Sequence, residues 1–228
     1  MKKTSRGFFW LLLLLLLSWA GRLSAQQVPT GWIAEDSSDG GAQMVCRGDT
    51  LEIVSPGGLT LWRNERLAGD YEISYRVCMV MKGGKYDRLS DLNCFWGAVD
   101  PSYPDDLFAR GNWRNGIFSR YNTLNLFYVG FGGNYNTTTR FRQYHGKYAG
   151  VADDKVKPLL AEYTDEAHLL KPNRWYEIRI RVKEGQTSFW VDGERLFHLA
   201  VPVGATDGYF ALRLLENHVL MTGFTLKK

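Results

Sequence analysis

The sequence contains little cysteine: Cys46, Cys78 and Cys94 in a chain of 228 residues. In an oxidising compartment three thiols form one disulfide at most and leave one thiol over, so at most one cross-link supports the fold. No Cys and His residues have the spacing of a zinc site. Because Cys78 and Cys94 lie within apolar runs, we expect both to be buried thiols.

An excess of basic residues is also missing once the N-terminus is set aside. The chain carries 28 basic and 24 acidic residues, a formal net charge of +4. The first 25 residues hold four basic residues, Lys2, Lys3, Arg6 and Arg22, and no acid, so the remainder has 24 residues of each sign. Because nucleic-acid binding needs a strong positive field, this balance argues against a nucleic-acid partner.

A long hydrophobic run occurs at the N-terminus, from Phe8 to Leu17. It follows a basic segment and precedes Leu23-Ser24-Ala25, whose small residues are typical of a signal-peptide cleavage site. The run is short for a membrane span, and no cysteine follows it closely, which disfavours a lipoprotein. We therefore predict a signal peptide at 1–25, then one domain over 26–228 that is periplasmic or secreted and has no membrane partner.

The sequence has no long stretch in which apolar residues recur with the period of a helix. Instead, apolar and polar residues alternate with a period of two, as in strands. Tyr71 to Met81 and Trp175 to Lys183 alternate apolar with polar residues, and Asp192-Gly193 is a hairpin signal. Turn signals recur about every eight to twelve residues. Together with the alternation, this spacing predicts an all-β, two-sheet antiparallel sandwich. Further expectations are two short strands around a turn at 55–58, closing strands at 207–213 and 221–226, and a long loop over 151–170.

Three C-terminal segments, 174–180, 189–194 and 208–213, read RWYEIRI, FWVDGE and GYFALR. This progression resembles the closing strands of concanavalin A-like jelly rolls, the lectin and glucanase superfamily, and implies two facing curved sheets. The stretch from Asp91 to Tyr144 is similar to a secreted domain family of gut bacteria that is linked to polysaccharide utilisation. The resemblance implies a carbohydrate partner and transfers no catalytic residue.

Side chains suited to sugar binding are concentrated between Arg88 and His145. Aromatic rings pack on the C–H faces of a pyranose, while Asn, Asp and Arg hydrogen-bond its hydroxyls. The composition favours a poly- or oligosaccharide partner, in particular an acidic one. The candidate substrate-binding residues are Asn93, Trp96, Arg110, Arg120, Asn122, Asn134, Tyr135, Arg140 and Arg142.

Elimination on a uronic-acid glycan, as in a polysaccharide lyase, is our leading hypothesis. The E-x-D-x-x-E pattern of jelly-roll glucanases is absent, which disfavours retaining hydrolysis. A lyase needs cations against the sugar carboxylate and a base for the adjacent proton. Arg140, Arg142 and Tyr144 share one face of a predicted strand, and Arg120 and Asn122 share one face of the preceding segment. The candidate catalytic residues are Tyr144, His145 and Tyr121.

Two alternatives remain open. A solvated sheet face also alternates arginine and tyrosine with apolar residues, so a non-catalytic glycan-binding module fits the same pattern. An enzyme that cleaves oxidised (keto) glycosides fits as well, because it needs no pair of carboxylates. We predict no metal site and no cofactor, with structural calcium as the alternative; the glycan and the oligomeric state are left open. The acids considered as calcium ligands, and expected instead to cap turns, are Asp91, Asp100, Asp105 and Asp106.

Overall fold

Twelve antiparallel strands form the protein in the computed structural model, which describes residues 28–39 and 41–228. The predicted signal peptide at 1–25 lies outside the described residues. The strands are β1 Trp32–Asp36, β2 Gln43–Arg47, β3 Thr50–Arg63, β4 Tyr71–Met79, β5 Leu92–Val99, β6 Asn125–Gly132, β7 Thr138–Tyr144, β8 Leu159–Tyr163, β9 Trp175–Lys183, β10 Gln186–Val191, β11 Glu194–Ala200 and β12 Tyr209–Lys227.

Short helices lie only in the connections between the described strands. The α-helical turns are Gly111–Arg114 and Asp153–Val156, and the 3-10 turns are Leu107–Arg110, Phe118–Thr123, Gly146–Tyr148 and Glu166–His168. Within the described residues, no helix is long and apolar enough to cross a membrane.

Two long strands, β3 and β12, run through both layers of the sandwich. The first half of β12 pairs with β5 and its second half pairs with β4, and the register of β12 against β3 shifts between Leu215 and Asn217. The front sheet is therefore β1-β3-β12-β5-β6-β7-β8, and the back sheet is β2-β3-β12-β4-β9-β10-β11. The predicted all-β, two-sheet antiparallel sandwich is confirmed.

The main core lies between the two sheets, as the alternation of apolar residues requires. Ile178, Ile180 and Val182 of β9 are buried there against residues such as Trp96 and Phe127 of the front sheet. Cys78 and Cys94 are buried, as predicted, while Cys46 is exposed, and all three thiols are free. The hairpin between β10 and β11 turns at Asp192-Gly193, where both residues have positive φ.

Three sequence expectations about strand boundaries are wrong. Residues 55–58 do not form a turn between two strands, because β3 continues through them into the second layer. The closing strands at 207–213 and 221–226 are parts of one strand, β12, which bends at Glu216 with φ of 50°. Residues 159–163 of the expected long loop form β8, because they pair with β7.

Candidate functional site

The outer face of the front sheet carries polar residues in register. Strand pairing aligns Arg213, Asn93, Gly130 and Arg140 across four neighbouring strands. Their sequence neighbours point into the main core, so these four positions face outward. The next row on the same face contains Phe95, Tyr128 and Arg142, and Tyr144 lies beyond it. The register thus gathers arginine and tyrosine side chains from separate parts of the chain.

The segment from Asp100 to Leu124 covers one side of this face. It is held to β1 by a fully buried Arg114, whose guanidinium donates to Glu35 Oε1 at 2.6 Å and Oε2 at 3.1 Å. The Tyr121 hydroxyl donates to the same carboxylate at 2.6 Å. Buried Asp100 accepts two hydrogen bonds from Arg110, at 2.7 and 2.8 Å. A second apolar cluster, which includes Tyr121, lies beneath the segment.

The uncovered part of the face is a cleft of about 340 Å³. Tyr128, Gly130, Arg142 and Tyr144 contribute to its lining. The absence of a side chain at Gly130 makes room for Tyr128: a Cβ there would lie 2.9 Å from Tyr128 Cζ. The remaining lining residues are Asp91, Phe118, Gly133, Asn134, Thr138, Arg140, Asp153 and Lys157. We call this surface the front cleft.

The charges of the front cleft are largely paired within the protein. Asp91 accepts from Arg88 at 2.7 Å, Lys157 lies 3.1 Å from Asp153, and Arg140 pairs with Glu162. Arg142 differs, since no carboxylate of the described residues lies within 4.0 Å of its guanidinium. Arg142 Nη1 donates to the Lys157 carbonyl at 2.6 Å, and its other N–H groups make no hydrogen bond within the described chain. Within the described residues, Arg142 is therefore a cation of the cleft without a counter-charge.

A second arginine lies beneath the covered side of the same face. Arg213 is 3% exposed, donates to the Gly116 carbonyl at 2.8 Å, and stacks on Phe118 at 5.2 Å and Tyr121 at 5.7 Å. Burial lowers the pKa of its guanidinium, although nearby tyrosines and Asp91 oppose the shift. An arginine nevertheless stays protonated in proteins, so Arg213 adds positive potential next to the cleft.

Two tyrosine hydroxyls of the cleft have no internal partner. Neither Tyr128 Oη nor Tyr144 Oη makes a hydrogen bond to any described residue. Burial raises the pKa of both phenols, and for Tyr144 the positive charges of Arg142 and Arg213 partly oppose the rise. Both therefore remain protonated at neutral pH, with a hydroxyl proton available for donation.

A strained turn between β6 and β7 borders the cleft. Asn134, Tyr135 and Asn136 all have positive φ, between 53° and 59°. Such conformations cost non-glycine residues about 1–3 kcal/mol each and are concentrated at functional sites. Asn136 holds the turn by exchanging two hydrogen bonds of 2.9 Å with the backbone of Leu170. The turn presents the Tyr135 ring to solvent, 80% exposed, with Arg88 at 5.3 Å from its centre.

Four of the residues proposed from the sequence line the front cleft: Asn134, Arg140, Arg142 and Tyr144. The shared strand face predicted for the last three is present. Asn93 lies in the same sheet face, 5% exposed, and its Oδ1 has no hydrogen-bond partner in the described chain. Tyr135 stands next to the cleft, after Asn134.

Trp96 and Tyr121 do not lie where a ligand can reach them. Trp96 points into the main core, stacks on Phe141 at 5.7 Å and donates to Thr187. Because β5 is buried on both faces, its residues do not alternate between apolar and polar, and the sequence did not show which face of the strand carries Trp96. Tyr121 is buried under the covering segment and hydrogen-bonded to Glu35. Both side chains are fully buried, so the sequence-based expectation of an accessible position is wrong for them.

Four other predicted residues also lie outside the front-cleft lining. Arg120 and Asn122 belong to a 3-10 turn, so strand parity does not apply to them, and the Arg120 guanidinium donates to a backbone carbonyl. Arg110 is engaged with Asp100. His145 follows Tyr144 at the end of β7, so it points to the opposite side from Tyr144, and its ring packs near Tyr148. Burial, with a smaller effect of Lys147, lowers the pKa of His145.

The sequence analysis missed Tyr128, Gly130, Lys157 and Arg213. A signal existed for Arg213, since a lone charge within the apolar run GYFALRLL is unusual for a strand buried on both faces. Lys157 comes close to the site only because β8 returns along β7, which the sequence did not predict.

No metal cluster accompanies the site. Among residues 28–39 and 41–228, no group of three or more His, Cys, Asp or Glu side chains is arranged to hold an ion. Three of the four acids considered as calcium ligands have other partners: Asp91 pairs with Arg88, Asp100 with Arg110, and Asp106 caps the Phe108 amide.

A separate titratable cluster lies outside the front cleft. His168 Nδ1 is 2.7 Å from Asp165, its Nε2 is 3.4 Å from Glu194, and its ring stacks on Tyr163 at 3.9 Å. Burial opposes protonation, but the hydrogen bonds to the two carboxylates outweigh it and raise the pKa of His168.

A family model described as a domain of unknown function, DUF6250, matches residues 53–224. No curated protein matches the chain. A protein of unknown function with a galectin-like fold from Bacillus subtilis is similar at 16% identity and a TM-score of 0.64, over 86% of this chain and 88% of that one. Carbohydrate-binding module CBM66 from Bacillus subtilis is similar at 10% identity and a TM-score of 0.52, over 87% and 96%.

The exoplasmic/lumenal domain of VIP36, in a form bound to Ca²⁺ and mannose, is similar at 11% identity and a TM-score of 0.52, over 86% of this chain and 82% of that one. At such identities the likeness concerns the fold. It confirms the concanavalin A-like jelly-roll sandwich predicted from the C-terminal segments.

Proposed function

The chain belongs to the DUF6250 family, a domain of unknown function, and from this premise and its front cleft we propose that it is a glycan-binding domain for acidic sugars. The observation that carries the proposal is Arg142. It lines an open cleft, has unused N–H groups and lacks a carboxylate partner among the described residues. A uronate carboxylate supplies the missing charge and matches the planar fork of a guanidinium.

The surroundings of Arg142 suit the rest of a sugar. Tyr128 and Tyr144 offer hydroxyl donors that have no partner within the described chain, and sugar hydroxyls accept such hydrogen bonds. The exposed Tyr135 ring is available for packing on the C–H face of a neighbouring sugar unit. The names of two similar structures, a carbohydrate-binding module and a mannose-bound domain, support a sugar as the ligand. Secretion, predicted from residues 1–25, fits the same function.

Calorimetric titration of residues 26–228 with uronate oligosaccharides and their neutral counterparts tests the proposal. We expect binding of the acidic ligands, and a loss of roughly 10- to 150-fold in affinity for Arg142→Ala, since hydrogen bonds to charged groups contribute about 1.5–3 kcal/mol. Arg47→Ala is the matched control, because Arg47 is exposed on β2 of the back sheet. Equal affinity for neutral ligands, or an Arg142→Ala variant that binds like the parent, would contradict the proposal.

One observation favours a second candidate, elimination by a lyase. Tyr144 and Arg142 are neighbours on the same face of β7 and both line the cleft, so a uronate held by Arg142 lies next to a phenol. The raised pKa makes Tyr144 better suited to protonate the leaving oxygen than to act as the resting base. The C5 proton would then pass to the Asp153 carboxylate, which lines the same cleft. Ultraviolet absorbance from an unsaturated uronate reports this activity. Tyr144→Phe should abolish this activity, while ligand binding is weakened only by the loss of one hydrogen bond. If no bound uronate changes the absorbance, the lyase candidate is refuted and the binding domain remains.

A further inference from the structure

A second polar surface lies on the opposite side of the sandwich. The alternation of β9 buries Ile178, Ile180 and Val182 and turns Arg179, Arg181 and Lys183 to the outer face of the back sheet. Strand pairing sets Trp190 of β10 beside Arg179, and Arg195 of β11 beside Trp190. A depression of about 260 Å³ is lined by Arg181, Lys183, Glu184, Gln186, Ser188, Trp190 and Arg195. We call this surface, together with Arg179 beside Trp190, the back basic face.

Two guanidinium groups of the back basic face, those of Arg179 and Arg195, lie close to the indole ring of Trp190. Arg179 Cζ lies 4.7 Å from the centre of the Trp190 ring, and Arg195 Cζ lies 5.6 Å from it. Trp190 is itself held by a hydrogen bond of 3.0 Å from its Nε1 to Ser188 Oγ. A guanidinium that stacks on an aromatic ring keeps its N–H groups free for an anion in its own plane. The strand pairing places one of these guanidinium groups on each side of Trp190, so the ring brings two positive charges to the same part of the surface.

The positive charge of this face is poorly compensated. Lys183 lies 3.5 Å from Glu184, and Glu72 is the cross-strand neighbour of Arg181. In the described chain, however, no carboxylate lies within 4.0 Å of Arg179, Arg181 or Arg195. Arg179 Nε is buried without a hydrogen-bond partner, although buried donors are normally satisfied. The local excess of donors and positive charge therefore points to an anionic ligand.

We propose that the back basic face binds the sulfate or carboxylate groups of a polyanionic glycan, as a site separate from the front cleft. The near-zero net charge of residues 26–228 disfavours nucleic acid, since a phosphate backbone is bound through a wide positive field. The inference does not depend on the proposed function of the front cleft, because the two surfaces lie on different sheets.

Affinity electrophoresis of residues 26–228 in gels with dextran sulfate or unmodified dextran tests the inference. The variant Arg181→Ser/Arg195→Ser removes two exposed side chains that make no hydrogen bond in the described chain, so the fold should be unaffected. We expect retardation by dextran sulfate alone, an affinity about tenfold lower in the double variant, and a dependence on salt that is shallower by roughly two in the logarithmic slope.

Arg142→Ala and Arg47→Ala are the controls. The first removes the unpaired charge of the front cleft and the second an exposed charge from the far edge of the back sheet, and both should bind dextran sulfate as the parent does. The inference is overturned if the double variant keeps the parent affinity, if Arg47→Ala weakens binding equally, or if duplex DNA or anionic vesicles bind as tightly as dextran sulfate. Loss of binding in Arg142→Ala alone would also overturn it, because the sulfate would then occupy the front cleft.

Discussion

Arg114→Met should destabilise the protein strongly, although Arg114 is remote from any proposed ligand contact. The guanidinium is fully buried, donates twice to Glu35 and once to the Leu107 carbonyl, and lies 3.6 Å from Asp100. Removing one partner of a buried ion pair costs about 3–5 kcal/mol, because the other charge stays buried without compensation. In Arg114→Met the charge left buried without compensation is the Glu35 carboxylate.

The remaining hydrogen bonds limit the loss. Tyr121 still donates to Glu35, and Arg110 still donates to Asp100, so we expect the lower end of the range, about 3 kcal/mol. For a domain of this size, each kcal/mol changes the midpoint of thermal unfolding by about 2–4 °C, which predicts a decrease of roughly 6–12 °C. Differential scanning calorimetry measures it. Adding Glu35→Gln should recover part of the loss, because no buried carboxylate then lacks its cation.

Arg47→Met provides the comparison for an exposed ion pair. Arg47 lies 3.0 Å from Glu52 and its side chain is 71% exposed, so this pair should contribute less than about 1 kcal/mol. If Arg114→Met lowers the unfolding midpoint no more than Arg47→Met does, the buried network does not hold the covering segment. Because that segment supplies Phe118 to the front cleft, Arg114→Met should also weaken uronate binding at temperatures where it remains folded.

Three further predictions follow from the structure. Gly130→Ala should displace the Tyr128 hydroxyl and weaken uronate binding, measured by calorimetry; unchanged affinity would remove Tyr128 from the site. Tyr135→Gly should raise unfolding stability by about 1 kcal/mol, because glycine adopts positive φ without strain, yet reduce affinity for oligosaccharides; a destabilised variant would refute the strain. The raised pKa of His168 stabilises the fold below the unfolded pKa of about 6.5, and this stability should be lost as pH rises through the folded pKa; His168→Gln should show a flatter pH dependence of the unfolding free energy in that window.

The strands that sequence reasoning predicted well are those with one face in the core and one in solvent. In β4 and β9 apolar residues are buried and the polar residues between them are more exposed, so the local sequence alone shows which face of each strand lies in the core. The hairpin at Asp192-Gly193 was predictable for a similar reason, since its two residues tolerate the positive φ that the turn requires. The shared face of Arg140, Arg142 and Tyr144 followed from the same period-two geometry.

Sequence reasoning was less successful for β5 and β8 of the front sheet. Residues 92–98 are all buried, so Trp96 in the main core and Phe95 under the covering segment look alike in the sequence. The strand β8 has little apolar alternation of its own and forms because its backbone pairs with β7. Both features depend on segments distant in the chain.

The sequence by itself determined the antiparallel sandwich and the concentration of arginine, asparagine and tyrosine between Arg88 and His145. Tertiary structure alone decided which of these side chains meet. Arg110, Arg140 and Arg142 have the same chemistry, but nearby carboxylates neutralise the first two, and the return of β8 leaves Arg142 open in the cleft. Whether the charge of an arginine is left uncompensated depends on partners contributed by distant strands, and the local sequence does not contain that information.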